Sequence, residues 1–384
     1  MHSKFRPIGA FIATRPQSQT FVNRHFAEEP TESFIWFRLR QMCDVPSIGM
    51  SLFTGTLAER RALYRDFRAF MRQAQTYWHA ATSTSGSAAA LPYYYAQLQL
   101  AKAELLQTNG PEIQKGSIMH GLRKLRSGTA SIKSDYLEVT KGVFPLLFRK
   151  RTGRDIPPGT KINAFNLLSL IPEISLEMQD VGPSRPSAQP GYYAIAMDDE
   201  RAWSVVLSNS SLTSDVRERM YRRFISGYEE VPQPEFVNWR GVFAVSSRMF
   251  GGSVRLFQSR KTVSTRQPDG TLKPAMYEAI PQLSDLMGDY LRPPTKGRTD
   301  FVLTPTVKKS DTLTVPLDLV RYAAMFYLSS LVRYSPSALD PVTEGAQAYL
   351  MDSFANEVPL GLLLGALDGI TGKFSYFDPG DMRL

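Results

Sequence analysis

The stretch "LPYYYAQLQLAKAELLQTNGPEIQKGSIMHGLRKL", residues 91–125, decides the interpretation of the fold, because it joins a long apolar segment to a histidine among basic residues. Apolar side chains recur at spacings of three and four from Tyr94 to Leu105, and the Asn-Gly-Pro at 109–111 is typical of a helix end. The sequence therefore predicts a long helix, beginning near residues 88–92, that ends before His120.

The histidine and the tyrosines of this stretch each allow more than one interpretation. His120 can act in proton transfer, contact a phosphate, or serve as a structural residue bonded to backbone at a turn before Gly121. Tyr93 and its two neighbours can stack on nucleobases, since aromatic faces beside basic groups bind single strands. The apolar phase of the helix favours the core for at least two of the three, namely Tyr94 and Tyr95.

Two further helices are expected before this one. Residues 56–82, "TLAERRALYRDFRAFMRQAQTYWHAAT", place apolar side chains from Leu57 to Trp78 at helical spacing with arginines between them. The turn-forming residues 83–89 make this helix an antiparallel partner of the next one. Residues 31–44 have a capping pattern, which predicts Thr31 as the cap, with two phenylalanines, Phe34 and Phe37, on the buried side.

From about residue 129 the periodicity changes to that of strands. Segments at 134–150, 191–208 and 240–264 are rich in aromatic and branched residues and are interrupted by glycine or acidic turns, which predicts antiparallel hairpins. Residues 180–191 and 291–300 are proline-rich and are expected to be exposed breaks.

The last part of the chain is helical again. Residues 315–334 carry an apolar helical stripe that ends at Pro336, and residues 340–367 predict one or two more helices. The fold class is therefore α+β and predominantly helical, in three regions. They are a helical basic region at 1–128, an α+β middle with antiparallel hairpins at 129–298, and a helical C-terminal region at 299–384 that packs back on the first.

The charge is concentrated in the first part of the chain. Residues 1–155 hold 22 Lys and Arg against 11 Asp and Glu, whereas residues 156–384 hold 23 against 25. Such an excess attracts an anionic partner, which can be nucleic acid, a nucleotide or an acidic protein, although a merely solubilising basic surface is an equal alternative. The single cysteine, Cys43, excludes a disulfide framework within the chain and fits a reducing compartment.

Several classes of function lack their signatures in this sequence. The four histidines have no metal-ligand spacing, no G-x-S-x-G occurs, and "GRDIPPGTK" at 153–161 departs from the phosphate-loop pattern. Glu138 and Lys141 would face opposite sides of a strand, which argues against a metal nuclease. No metal and no cofactor is predicted. Neither a signal peptide nor an apolar run of membrane-spanning length is evident, so a cytoplasmic protein without membrane contact is expected.

Four segments, in this order, resemble the YaaC-like bacterial proteins. They are "PYYYAQLQLAKAELL" at 92–106, "HGL" at 120–122, "FNLLSLIPEIS" at 165–175 and "AAMFYLSSLVRYSP" at 323–336. The resemblance covers most of the chain and is weakest between residues 180 and 300. It implies a cytoplasmic bacterial protein and carries no named reaction.

A second, looser resemblance links the helix with "YYA" and "AKAELL" to the first core helix of HEPN domains, many of which are RNases in toxin or antiviral systems. Such RNases carry an arginine four to six residues before a histidine, and here Lys115 stands five residues before His120. The resemblance implies that His120 would be catalytic. The phosphate contacts would come from nearby cations and an aromatic face: Lys115, Arg123, Lys124, Arg126 and Tyr93.

The sequence thus favours an accessory or binding protein that works through its basic helical region, as a component of a bacterial nucleic-acid-associated or antiviral-defence assembly. Its expected partners are RNA or DNA and either a second copy of the chain or another protein. The alternative is a metal-independent RNase in which His120 transfers the proton, and the two differ in whether RNA is cleaved.

Overall fold

The computed structural model describes the helical parts of the chain and the central strands. Described residues are 10–12, 19–21, 32–116, 118–125, 132–181, 189–197, 200–209, 226–231, 254–264, 266, 291–292, 300–303, 315–340, 345–372 and 374–376. In chain order, its strands and α-helices are β1 (Ala10–Ile12), β2 (Gln19–Phe21), α1 (Glu32–Asp44), α2 (Pro46–Met50), α3 (Leu57–Thr82), α4 (Ala90–Gln114), β3 (His120–Leu125), β4 (Tyr136–Gly142), α5 (Val143–Thr152), β5 (Lys161–Asn163), α6 (Ala164–Leu168), α7 (Ser175–Val181), β6 (Gln189–Met197), β7 (Arg201–Asn209), β8 (Tyr228–Val231), β9 (Val254–Ser259), β10 (Val263–Ser264), β11 (Leu291–Arg292), β12 (Asp300–Leu303), α8 (Leu317–Tyr334), α9 (Gly345–Glu357), α10 (Pro359–Thr371) and β13 (Phe374–Tyr376).

The contacts divide the chain into two compact units. One comprises residues 1–28, 188–308 and 376–384, and the other comprises residues 29–187 and 309–375. Each unit is thus assembled from segments that are distant in sequence. The three-region division expected at residues 128 and 298 stays a prediction.

The first unit contains an antiparallel sheet. Its strand order is β11-β12-β6-β7-β9-β8, with β1 paired to β6 and β10 to β7. The β6–β7 hairpin, in which Ile195 lies opposite Ser204, confirms the strands expected at 191–208. Of the segment 240–264, residues 254–259 form β9 and 263–264 form β10, whereas 240–253 lie outside the described residues.

The second unit is built around α4. Helix α3 packs antiparallel to it, and α5, α8 and α10 pack on its other sides. A helix that is covered on most sides has no polar face, which explains why even Gln97, Gln99 and Glu104 of α4 are buried. The small antiparallel sheet β3-β4-β5 belongs to the same unit. The α+β, predominantly helical class is therefore confirmed.

Helix α3 begins where its sequence provides a complete capping box. Thr56 accepts a hydrogen bond from the Glu59 amide at 3.3 Å, and the Glu59 carboxylate accepts one from the Thr56 amide at 2.8 Å. Most of the predicted stripe is buried, namely Tyr64, Phe67, Met71, Ala74 and Trp78. Phe70 is half-buried, and Leu57 is 48% exposed because it lies in the first turn.

Three local predictions are wrong. In α1 the buried side chains are Ile35, Trp36 and Leu39, while Phe37 is 54% exposed. The prediction chose the buried face of α1 by its aromatic content rather than by its helical phase. The predicted cap, Thr31, lies outside the described residues.

The second half of the segment 134–150, expected to be extended, lies in α5 (Val143–Thr152), because Pro145 lies in a first turn where its missing N–H costs nothing. Helix α4 continues past the predicted stop to Gln114 through a kink at Asn109. Gly110 makes this possible, since a Cβ there would lie 2.7 Å from the Leu63 side chain on α3.

Candidate functional site

His120 begins a strand rather than preceding a turn, and two glycines fix its position. Gly121 has φ +84° and forms an irregularity in the β3–β4 pairing, so that His120 lies opposite Gly142 while Leu122 lies opposite Val139. A Cβ on Gly121 would lie 2.7 Å from the Phe144 amide, and one on Gly142 would lie 2.6 Å from the Gly121 amide. Only glycines allow the two backbones to cross this closely.

The His120 ring is half-buried against aromatic residues of α4 and α8. Its Nδ1 is 2.7 Å from the Tyr94 hydroxyl, and its ring centroid is 5.5 Å from that of Tyr94 and 6.2 Å from that of Phe326. The hydroxyl is a side-chain partner, so the predicted backbone bond is replaced by a phenol–imidazole bond. Among the described atoms Nε2 is left as the ring nitrogen without a hydrogen bond.

The electrostatic environment of His120 favours the neutral ring. Burial lowers its pKa below 6.5, and the positive charges of Arg333 and Lys102 lower it further. Burial also lowers the pKa of Lys102. The pKa of Tyr94 lies well above its usual value, first because of burial and then because of Tyr322. At neutral pH the site therefore holds a neutral imidazole and a neutral phenol.

Arg333 and Lys102 are the two cations that lower the pKa of His120, and each lies against an aromatic ring. Arg333, in the last turn of α8, has its guanidinium carbon 6.0 Å from the Tyr95 ring centroid and Nη1 3.4 Å from the Tyr95 hydroxyl. The Lys102 ammonium lies 5.9 Å from the Phe70 ring of α3. We call Tyr94, Tyr95, Lys102, His120 and Arg333 the His120 cluster.

The structure places the predicted phosphate ligands elsewhere. Arg123 donates through Nε to Glu138 at 3.1 Å on β4, and Lys124 lies 3.2 Å from the buried carboxylate of Asp135. Lys115 is exposed at the end of α4 and has no contact with His120 among the described residues. Arg126 lies outside the described residues. His120 is thus not brought together with these cations, and their phosphate contacts stay predictions.

The three tyrosines differ in burial. Tyr94 is fully buried, whereas Tyr93 and Tyr95 are partly exposed. The Tyr93 ring lies edge-on to Trp78 at 4.8 Å, and burial, followed by the charge of Glu32, raises its pKa to about 12. Tyr95 stacks on Tyr77 of α3 at 5.3 Å. One tyrosine, not two, is a fully buried core residue.

A second concentration of charge lies on α3. Arg61, Arg65, Arg68 and Arg72 follow one another at spacings of four, three and four residues, which places them on one face of the helix. We call these four residues the arginine face. Within the described part of the chain, Arg65 alone of the four has a carboxylate within 4.0 Å, that of Asp66 at 3.7 Å.

Sequence reasoning missed Lys102, Arg333 and the arginine face as sites. Lys102 stands seven residues, two helical turns, after Tyr95, which is a usable signal for one side of α4. Arg333 lies more than 200 residues from His120 in sequence, and no local pattern could pair them. The sequence shows the arginines of α3 between the apolar positions. It does not show that they have so few acidic neighbours in the described part of the fold.

Neither a metal site nor a single membrane-spanning helix is found in the part of the chain that the structure describes. Among the described residues, no group of three or more His, Cys, Asp or Glu could hold a metal ion. In the same residues no single helix is long and apolar enough to cross a membrane, although α9 and α10, bent by 45° at their junction, meet the length and composition requirement as a pair.

Together these features define an α+β protein, predominantly helical, with a half-buried histidine cluster and an exposed arginine face in one compact unit. The chain belongs to the YaaC-like protein family, whose sequence profile matches residues 56–364. No curated protein and no solved structure matches the chain. The weaker HEPN resemblance receives no support from these comparisons.

Proposed function

We propose that this YaaC-like protein is a nucleic-acid-binding component of a larger bacterial assembly, and that the arginine face of α3 supplies the phosphate contacts. The observation that carries the proposal is the row Arg61, Arg65, Arg68 and Arg72 on one helical face, with one weak carboxylate neighbour within the described residues. Guanidinium groups bind phosphate through two parallel hydrogen bonds, and unpaired ones need not break an ion pair first.

The dimensions of the arginine face fit a nucleic-acid backbone. Residues 61 and 72 are eleven positions apart, which corresponds to about 16 Å along a helix. Phosphates of one strand recur every several ångströms, so two or three successive phosphates can contact the row at once. Arg61, Arg65 and Arg72 are exposed, while Arg68 is half-buried with its guanidinium 5.7 Å from the Tyr64 ring.

Three other exposed arginines are less suited to this role because carboxylates already neutralise them. Arg123 is bound to Glu138, Arg149 to Asp155 and Arg260 to Glu229. All three are exposed, as are Arg61, Arg65 and Arg72, which makes them a matched control. Surface charge in general would give the two sets equal effects, whereas a specific face would not.

The test compares two triple variants that remove the same charge. Arg61→Gln/Arg65→Gln/Arg72→Gln should weaken binding to single-stranded RNA or DNA strongly and should flatten its dependence on salt. If three phosphate contacts are lost, the slope of log K against log[salt] falls by about 2 units for a single strand. Arg123→Gln/Arg149→Gln/Arg260→Gln should bind nearly as the wild type does.

Two results would overturn the proposal. One is that no binding is detected even at low salt, which would return the function to a protein partner. The other is that both triple variants lose affinity equally, which would assign the attraction to net charge rather than to the arginine face. Cleavage of the RNA in these assays would instead revive the alternative prediction of an RNase that uses His120.

A further inference from the structure

The His120 cluster contains two half-buried cations without an acidic partner. Within the described residues, neither Lys102 nor Arg333 has a carboxylate within 4.0 Å, and Arg333 bonds only to the Ser329 carbonyl at 3.3 Å and the Tyr95 hydroxyl at 3.4 Å. By contrast, the similarly shielded Lys124 and Arg151 of this unit form ion pairs. A shielded charge without a counterion is costly, and an anionic ligand would offset that cost.

The third basic group is His120 itself. Tyr94 occupies its Nδ1, so Nε2 is the nitrogen that can donate to a ligand. The groups that act on the ring from α4 are Tyr94 and Lys102, and from α8 they are Phe326 and Arg333. None of these four groups is a carboxylate, so none of them would repel an anionic ligand.

A buried amide without a partner lies on the same side of α4. Gln99 is 9% exposed and its Oε1 has no hydrogen-bond partner within the described residues. It stands four residues after Tyr95 and three before Lys102, positions that share one helical face. A buried amide oxygen that the chain leaves unsatisfied is uncommon, and a ligand hydroxyl or N–H would satisfy it.

An aromatic face is also available beside the cations. Tyr334 is 73% exposed, and the Arg333 guanidinium lies 5.0 Å from its ring centroid. An exposed tyrosine next to a cation provides a stacking surface for a planar base next to a contact for its phosphate.

We infer that the His120 cluster binds a nucleoside monophosphate, with its phosphate held by Lys102, His120 Nε2 and Arg333, a ligand donor received by Gln99, and its base on Tyr334. This site is separate from the arginine face. Phe70 and Tyr77, which contact Lys102 and Tyr95, lie on a different side of α3 from the four arginines. The inference therefore does not rest on the proposed nucleic-acid binding.

The first test uses titration calorimetry with AMP, inorganic phosphate and adenosine. AMP should bind more tightly than phosphate, and adenosine should bind far more weakly than either. Arg333→Gln and Lys102→Gln should each weaken AMP binding at least about tenfold, since each removes a charged hydrogen bond. Arg149→Gln, which also removes one positive charge from this unit, should leave AMP affinity unchanged because Arg149 is exposed and paired with Asp155. Equal binding of adenosine and AMP, or an equal loss in Arg149→Gln, would overturn the inference.

Gln99 offers a variant that separates binding from folding. In Gln99→Leu a buried amide without a partner is replaced by an apolar side chain of similar size, so the thermal unfolding midpoint should stay the same or rise. The same variant should nonetheless weaken AMP binding. If it binds AMP as the wild type does, Gln99 is not part of the site and the proposed set of ligand contacts is wrong.

The His120 ring supplies a spectroscopic readout. AMP favours the imidazolium form, so the pKa of His120 followed by NMR should rise when AMP is bound. An unchanged pKa in the presence of bound AMP would place the nucleotide elsewhere. The triple variant of the arginine face should still bind AMP, which lets the two proposals fail independently.

Discussion

At the scale of single residues, burial decides how the few reactive side chains behave. Cys43 is buried, and its pKa is raised to about 12, first by burial and then by the charge of Asp44. Because the thiolate is the reactive form, Cys43 should be inert in the folded chain. Ellman's reagent at about pH 8 should label less than a tenth of the thiol natively and all of it in denaturant. Rapid stoichiometric labelling of the native protein would contradict this.

The stability of the protein should depend on pH through His120. Its folded pKa is lowered, first by burial and then by Arg333 and Lys102, while an unfolded histidine titrates near about 6.5. As the pH falls through that value, the unfolded chain takes up a proton that the folded chain resists. The contribution is therefore fully present above about pH 6.5 and is lost as the pH falls towards the folded pKa.

The measurement is denaturant unfolding of the wild type and of His120→Gln between about pH 7.5 and 5.5. The wild type should lose more free energy of unfolding across this range than the variant does. Parallel loss in the two proteins would show that the folded pKa of His120 is not lowered.

At the scale of elements, one buried ionic network joins four helices. Glu104 of α4 is fully buried, with its Oε2 2.5 Å from Arg151 of α5 and its Oε1 3.6 Å from Lys150. Arg151 also forms an ion pair with Asp318 of α8. The Lys150 ammonium donates to the Gly369 carbonyl at 3.3 Å, near the end of α10. Side chains of α5 thus form ion pairs with α4 and α8 and a hydrogen bond with a backbone carbonyl of α10.

Removal of the central carboxylate should be costly. Glu104→Gln leaves Lys150 without its carboxylate and leaves Arg151 with Asp318 alone, and the expected loss of stability is about 3–5 kcal/mol. Asp155→Asn is the matched control, since it breaks the exposed pair with Arg149 and should leave the unfolding midpoint almost unchanged. If Glu104→Gln is as stable as this control, the network does not hold the helices together.

The close backbone approach at Gly121 and Gly142, where β3 pairs with β4, leads to a second prediction at this scale. Gly121→Ala requires φ near +84° and brings a Cβ within 2.7 Å of the Phe144 amide. We expect a loss of at least about 1–2 kcal/mol together with a changed NMR environment of His120. Gly153→Ala is the control: it also has a positive φ, but its Cβ would meet no atom within 4 Å. It should lose stability without affecting His120.

At the scale of the whole molecule, two compact units with separate cores should unfold separately. Calorimetry should resolve at least two transitions, because cooperativity seldom extends across domains. Glu104→Gln should lower only one of them, that of the unit containing residues 29–187 and 309–375. A single transition that shifts as a whole would mean that the two units fold as one.

The sequence by itself determined the features that depend on neighbouring residues. The apolar period of 57–82 and 90–108 is local, and so it predicted α3 and α4 as an antiparallel pair. Local pattern also predicted the hairpin at 191–208, and the four family segments identified the family. The wrong choices, such as the buried face of α1 and the extended form of 143–152, arose where aromatic content was weighed above helical phase and the tolerance of a first turn for proline.

The tertiary structure alone decided which charges are free to act. Arg123 and Lys124 are candidate phosphate ligands by their proximity to His120 in sequence. In the structure Arg123 forms an ion pair with Glu138 across the β3–β4 pairing, and Lys124 forms one with Asp135. Lys102 and Arg333 lower the pKa of His120 because α8 packs against both α4 and β3, and because Tyr94 of α4 bonds to the His120 ring. Whether a cation is neutralised depends on contacts between residues distant in the chain. Sequence spacing does not encode those contacts, and so no local pattern predicts which residues surround His120.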